Sequence, residues 1–177
     1  MAYWEDPPGR RNIRLPRRAY RSGDAFLVTI GAVGRIAIFD DPRIAGVVVR
    51  HLDSALRTRG GPVDACCLMP NHLHLLLAAV PDVVTWVGRF KAATTTAARR
   101  AGIRSSLWQR SFHDRCLPRR HGFVEAAARY IIDNPVRAGL ATRWDEWPYT
   151  RVVLGRRGGV TNDPDRSELA TRPTPGR

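Results

Sequence analysis

The chain has 177 residues, 44% of them hydrophobic, which suits one folded domain with flanking segments rather than several domains. Lysine and arginine number 29 against 16 acids, a formal charge of +13 that points to a polyanionic partner, with nucleic acid the commonest. No apolar run approaches the roughly 18 residues needed to span a bilayer, so a membrane role is excluded from the expectations.

Almost all of the positive charge is arginine, Lys91 being the only lysine. A guanidinium offers a planar fork of donors that matches phosphate oxygens, whereas an ammonium is a point charge. An arginine bias can be purely compositional, and the informative quantity is the net excess. Cys66, Cys67 and Cys116 show no CxxC spacing, and neighbours on a strand point to opposite faces. They read as reduced thiols of a cytoplasmic protein. The opening MAYWEDPP has acids and prolines where a signal peptide needs an apolar run.

Residues 1–22 form a basic arm with Arg10, Arg11, Arg14, Arg17 and Arg18 close together, and their composition predicts flexibility. Residues 25–30 (AFLVTI) read as a strand. Asp40-Asp41-Pro42 then starts a helix, with Ile44, Val47, Val48, Leu52, Ala55 and Leu56 at helical spacing and Gly60-Gly61 as its end. Residues 63–69 and 72–78 are two apolar runs separated by Pro70-Asn71, the pattern of a tight hairpin. Pro81-Asp82 opens a second helix to about Ala101, with Trp86, Phe90 and Ala93 on one side. Residues 107–117 read as extended or irregular, and His121-Gly122 starts a third helix that Pro135 stops near Asn134. Residues 144–149 close the folded region, taken as residues 23–154, and residues 155–177 have the Gly, Pro, Thr and charge content of a disordered tail. This order of elements predicts an α+β domain with a ferredoxin-like core, helices packed on one face of an antiparallel sheet.

Two stretches can carry chemistry. In Met69-Pro70-Asn71-His72-Leu73-His74 the histidines stand at i and i+2 on a strand, so both imidazoles share one face and can hold a single metal ion. Two polar rings on an otherwise apolar strand are costly unless they are used. In the third helix, Tyr130 and Asn134 stand one turn apart on one face. A zinc hydrolase would need further His or Asp ligands, and no HxHxDH run is present.

The composite MPNHLHLLL, WQRSFHDR and ARYIIDNPVRAGL, in this order, resembles the REP-associated tyrosine transposases, which belong to the single-tyrosine HUH class. The similarity runs from about residue 26 to 149. It implies that His72 and His74 bind Mg²⁺ or Mn²⁺, that Tyr130 is the nucleophile, and that Asn134 completes the metal site. It further implies a single-strand endonuclease and transposase acting through a 5′-phosphotyrosine, with hairpins of palindromic repeats as substrate. Family members often carry a histidine in the first strand, where this chain has Phe26-Leu27-Val28-Thr29. The alternative expectation is a non-catalytic DNA-binding regulator on the same fold. Trp108, Gln109, Arg110, Arg119 and Arg120 are further candidate DNA contacts, with Arg99-Arg100 and His113 in smaller roles.

Overall fold

The computed structural model describes residues 25–57, 63–78, 80–117 and 122–153. The expected arm with its five arginines, the tail, the Gly60-Gly61 helix stop, and the candidates Arg119 and Arg120 lie outside these residues.

Five strands form one antiparallel sheet: β1 (Ala25–Gly31), β2 (Val63–Met69), β3 (His72–Ala78), β4 (His113–Leu117) and β5 (Thr150–Val152). Their order is β4-β1-β3-β2-β5. The first four follow the split βαβ arrangement expected of a ferredoxin-like core, with α1 (Pro42–Arg57) and α2 (Val83–Arg100) as its crossovers. β5 is a fifth strand on the β2 edge that the sequence reading missed; it extends the fold past Tyr149. The ion pair between Arg151 Nε and Asp53 Oδ1 of α1, at 3.1 Å, ties it down.

The helices begin where their caps dictate. Asp41 accepts the Arg43 backbone N–H at 2.9 Å and pairs with the Arg43 guanidinium, which holds its carboxyl down at about 2. Asp82 accepts the Thr85 backbone N–H at 3.0 Å at the head of α2. The buried stripe of α2 is Val83, Val87, Phe90, Thr94 and Ala98. Ala93, expected on that side, is exposed, because it falls outside the 3.6-residue stripe that Phe90 and Thr94 define.

The period-2 alternation of the strands divides two cores. On one face Phe26, Val28, Ile30, Leu73, Leu75 and Leu77 pack under α1 and α2. Each fully buried leucine there contributes about 1.5–3 kcal/mol. On the other face Leu27, Cys67, Met69 and Leu76 meet Ala127, Ala128 and Ile131 of α3 (Phe123–Ile132). The single-face packing read from the sequence therefore describes α1 and α2, while α3 covers the opposite face. Gly122, at φ 91°, starts α3, and its N–H is capped by the Glu125 carboxylate at 3.2 Å. At Asp133 α3 gives way to a one-turn helix, α4 (Asn134–Arg137), with Pro135 in its first turn. Among the described residues all three cysteines are free, with Cys66 and Cys67 in different cores. No helix among the described residues is long and apolar enough to cross a membrane.

Candidate active site

The site lies on the α3 face of the sheet. Three consecutive outward positions of β1, namely Leu27, Thr29 and Gly31, line an open cleft of about 440 Å³ together with His72 and His74 of β3. Tyr130 and Asn134 close it from the α3 side, while Arg35, Gln109, His113 and Arg115 stand around it.

The two imidazoles meet at right angles, with ring centroids 4.5 Å apart and Nε2 atoms 2.9 Å apart. Each has an oxygen at its other nitrogen. Asn71 Oδ1 is 2.6 Å from His72 Nδ1, and Thr29 Oγ1 is 3.0 Å from His74 Nδ1. The second contact follows from register, since Thr29 pairs directly with His74 across β1 and β3. The first follows from the turn, where Asn71 is anchored through its own carbonyl by the Ala32 N–H at 2.8 Å. Burial lowers the pKa of both rings. For His74, with the charges of His72 and Arg137 adding to burial, the value falls to about 3. Both rings are therefore neutral at pH 7, the form in which imidazole binds metals.

The donor set fits a divalent cation. The two Nε2 atoms converge to 2.9 Å, close enough for both neutral imidazoles to face one ion. Among the described residues no group of three or more His, Cys, Asp or Glu side chains could hold a metal. Any ion held by the histidine pair would need donors of another kind besides them, and Asn134 lines the same cleft. Its amide nitrogen donates to the Tyr130 carbonyl at 2.7 Å and more weakly to that of Ile131 at 3.4 Å, so the side-chain oxygen is the atom left to bind elsewhere.

Tyr130 stands beside the pair. Its ring meets that of His74 edge-on, with centroids 5.9 Å apart, and the Arg137 guanidinium lies 4.9 Å from the ring centroid on α4. The structure thus gathers His72, His74, Tyr130 and Asn134, which the sequence had singled out from two distant segments.

The other expected contacts separate. Gln109 lines the cleft: its side chain covers Gly31 so closely that a Cβ there would meet Gln109 Oε1 at 2.8 Å. Arg110 and Arg99 border a neighbouring hollow that shares Gln109 with the first. Trp108 borders that hollow too, but most of its ring is in the core. It is only 6% exposed, it packs at a tilt against Phe39 with centroids 4.9 Å apart, and its indole N–H donates to Thr94 Oγ1 at 2.9 Å. A buried indole with its one donor satisfied serves packing here, and only its edge reaches the hollow beside Arg99 and Arg110. Thr29, Asn71, Arg35, Arg115 and Arg137 were not anticipated. Strand alternation from Leu27 to Gly31 was the one available signal for Thr29, and adjacency to His72 for Asn71. Arg35 adopts a left-handed backbone, φ 56°, directly after Gly34 at φ 63°, and no composition pattern announces that.

No family model matches the sequence, and no curated protein matches it. Among solved structures the chain is similar to a REP-associated tyrosine transposase bound to a REP hairpin, with a TM-score of 0.56 at 18% identity over 78% of this chain and 82% of that one. It also aligns with a candidate transposase from Deinococcus radiodurans R1, at TM-score 0.40 and 19% identity over 62% of this chain and 88% of that one. The first likeness identifies the fold as that of a REP-associated tyrosine transposase.

Proposed function

We propose that the protein is a transposase-type enzyme of the single-tyrosine HUH class that nicks and rejoins single-stranded or hairpin DNA. The observation that carries this reading is the meeting, in one cleft, of a histidine pair spaced for one cation with a tyrosine from a different element. The transposase fold and the net charge of +13 support it. The hairpin comes from the similar protein, which was solved with one.

In this reading Tyr130 Oη attacks the scissile phosphorus in line with the departing 3′ oxygen. The Oη–P bond forms as the P–O3′ bond breaks, and the proton released by the phenol ends on the 3′ oxygen. A 5′-phosphotyrosine and a free 3′-OH result, with the bond energy retained for rejoining. Mg²⁺ or Mn²⁺, held by His72, His74 and Asn134, would supply positive charge to the phosphate oxygens. The chain's own residues do the rest. The α3 contacts with the sheet hold Tyr130 against His74, Arg137 fixes the ring by its cation, and Arg35 and Arg115 give the cleft rim the charge to receive a phosphate backbone. A phenol is a poor nucleophile near neutral pH until its site assists ionisation, so this positioning matters.

The test is Tyr130→Phe, which removes one oxygen and little packing. Wild-type protein incubated with hairpin DNA and Mg²⁺ or Mn²⁺ should give a protein–DNA adduct that survives a denaturing gel, and Tyr130→Phe should give none while still binding the hairpin. An adduct formed by the variant would place the nucleophile elsewhere. Binding without any wild-type adduct would instead make the chain a DNA-binding regulator.

A further inference from the structure

We infer that Asn71 and Thr29 divide the control of the two imidazoles, Asn71 locking His72 in its metal-binding tautomer and Thr29 acting as a tautomer switch for His74. The inference rests on the metal reading of the cleft and names two positioning residues within it.

The geometry allows little else. A side-chain amide oxygen can only accept, so the 2.6 Å contact makes His72 donate from Nδ1 to Asn71 Oδ1 and leaves its Nε2 bare. His74 Nε2 stands 2.9 Å from that bare nitrogen. Without a cation between them, two lone pairs at this distance repel, and His74 must donate from Nε2 to His72 Nε2. Its own Nδ1 is then an acceptor, and the partner at 3.0 Å is Thr29 Oγ1, a hydroxyl that can donate to it.

With a cation bound to both Nε2 atoms, His74 has to surrender that proton. A neutral imidazole loses a proton at Nε2 and takes one at Nδ1, with no change of charge, and Nδ1–H then donates to the same hydroxyl oxygen. Thr29 serves both states because a hydroxyl is donor and acceptor at once. An amide oxygen there would serve only the metal-bound state, and an apolar side chain neither. Asn71 needs no such versatility, since His72 keeps one tautomer throughout. The division is built into the fold. Thr29 is held opposite His74 by strand register, and Asn71 is pinned by the Ala32 N–H at 2.8 Å. Outer partners of metal-binding histidines characteristically fix ring orientation and tautomer in this way.

The experiment combines ring-nitrogen NMR on histidine-labelled protein with calorimetric titration of Mn²⁺. In the metal-free wild type, His72 should carry its proton on Nδ1 and His74 on Nε2. Adding Mg²⁺ should move the His74 proton to Nδ1 and leave His72 unchanged. Thr29→Val, nearly isosteric with threonine, should weaken Mn²⁺ binding about 10–100-fold, and Thr29→Ser should restore it, with thermal melts confirming that each variant is folded. Should Thr29→Val not fold, the wild-type spectra and Thr29→Ser still decide. If the wild type binds neither ion, the metal reading of the cleft fails and the switch with it. If the wild type binds and Thr29→Val binds equally well, or if His74 holds its proton on Nδ1 before metal is added, the switch alone is overturned.

Discussion

The ring of Tyr130 stands edge-on to the imidazole of His74, with centroids 5.9 Å and planes 75° apart, although one side chain comes from α3 and the other from β3. What joins them is the small-residue face of α3, where Ala127 and Ala128 let the helix lie close on Cys67, Met69 and Leu76. The chemistry of the cleft and the packing of one sheet face are thus a single structural fact, and the predictions below separate their contributions.

Replacing His72 by Ala removes half of the proposed cation-binding pair from a partly exposed position and should leave the circular dichroism and melting temperature close to wild type. Hairpin cleavage with Mg²⁺ or Mn²⁺ should fall at least about 100-fold, beyond the loss usual for an outer partner alone. His74→Ala should lose as much activity and also some stability, because His74 is only 7% exposed and its removal leaves a gap. Cleavage by either variant near the wild-type rate would remove the histidines from the mechanism.

Trp108 should behave as a core residue. Trp108→Ala should destabilise the domain by about 3–5 kcal/mol in urea unfolding, since it strips the contacts with Phe39 and Phe90 and removes the indole donor from the Thr94 hydroxyl, which keeps its own bond to the Phe90 carbonyl. Trp108→Phe should cost less. Hairpin affinity of whatever protein remains folded should be unchanged in both, and a selective loss of affinity without loss of stability would restore Trp108 as a DNA contact.

Acid should weaken the metal-free fold through His74. Above about pH 6.5 its ring is neutral in both the folded and the unfolded chain, so it adds no pH dependence there. Below that, the unfolded chain takes up a proton that the folded chain refuses until about pH 3, so stability falls as pH falls across that window. Between pH 6.5 and 5 the loss is at most about 2 kcal/mol. Urea midpoints at pH 7.5 and 5.0 should differ less in His74→Gln than in the wild type. An equal difference in the two would mean that the buried imidazole contributes nothing to the acid response.

Hairpin affinity should decline steeply with salt, because each phosphate neutralised releases counterions. Arg35 has no acidic partner among the described residues and lines the cleft, so Arg35→Ala should reduce the slope of log affinity against log salt by about one. Removing residues 1–22, with their five clustered arginines, should flatten it further. A slope unchanged by either alteration would make the charge compositional.

Much of this architecture was readable because its signals are local. The β-rich run of β1 and the apolar run of β3, the helical spacing from Ile44 to Leu56, and the Asp41 and Asp82 caps each declare an element within a few residues. The histidine pair was readable for the same reason, being two positions apart on one strand. What escaped depends on partners distant in sequence. β5 is three residues long and acquires its identity only by pairing with β2. The amphipathic stripe of α3 fits either face of a sheet equally well, so its choice of face is a tertiary outcome. Trp108 and Gln109 are adjacent, yet one enters the core and the other the cleft, because the Ala32–Trp108 bridge sets which way each points. Thr29 is an ordinary strand threonine until β3 brings His74 opposite it.

β3 is bonded along its length to β1 on one side and β2 on the other, so both histidines sit on the best-protected strand of the sheet. Local opening frees loops and edges first and central strands last, near the cost of unfolding the whole domain. A damaging substitution anywhere in the two cores should therefore leave few half-formed molecules with a slackened histidine pair. It should instead lower the number of intact copies, each keeping its cleft as before. For such a chain, variation in the core would tune dose, and variation in the cleft would tune skill.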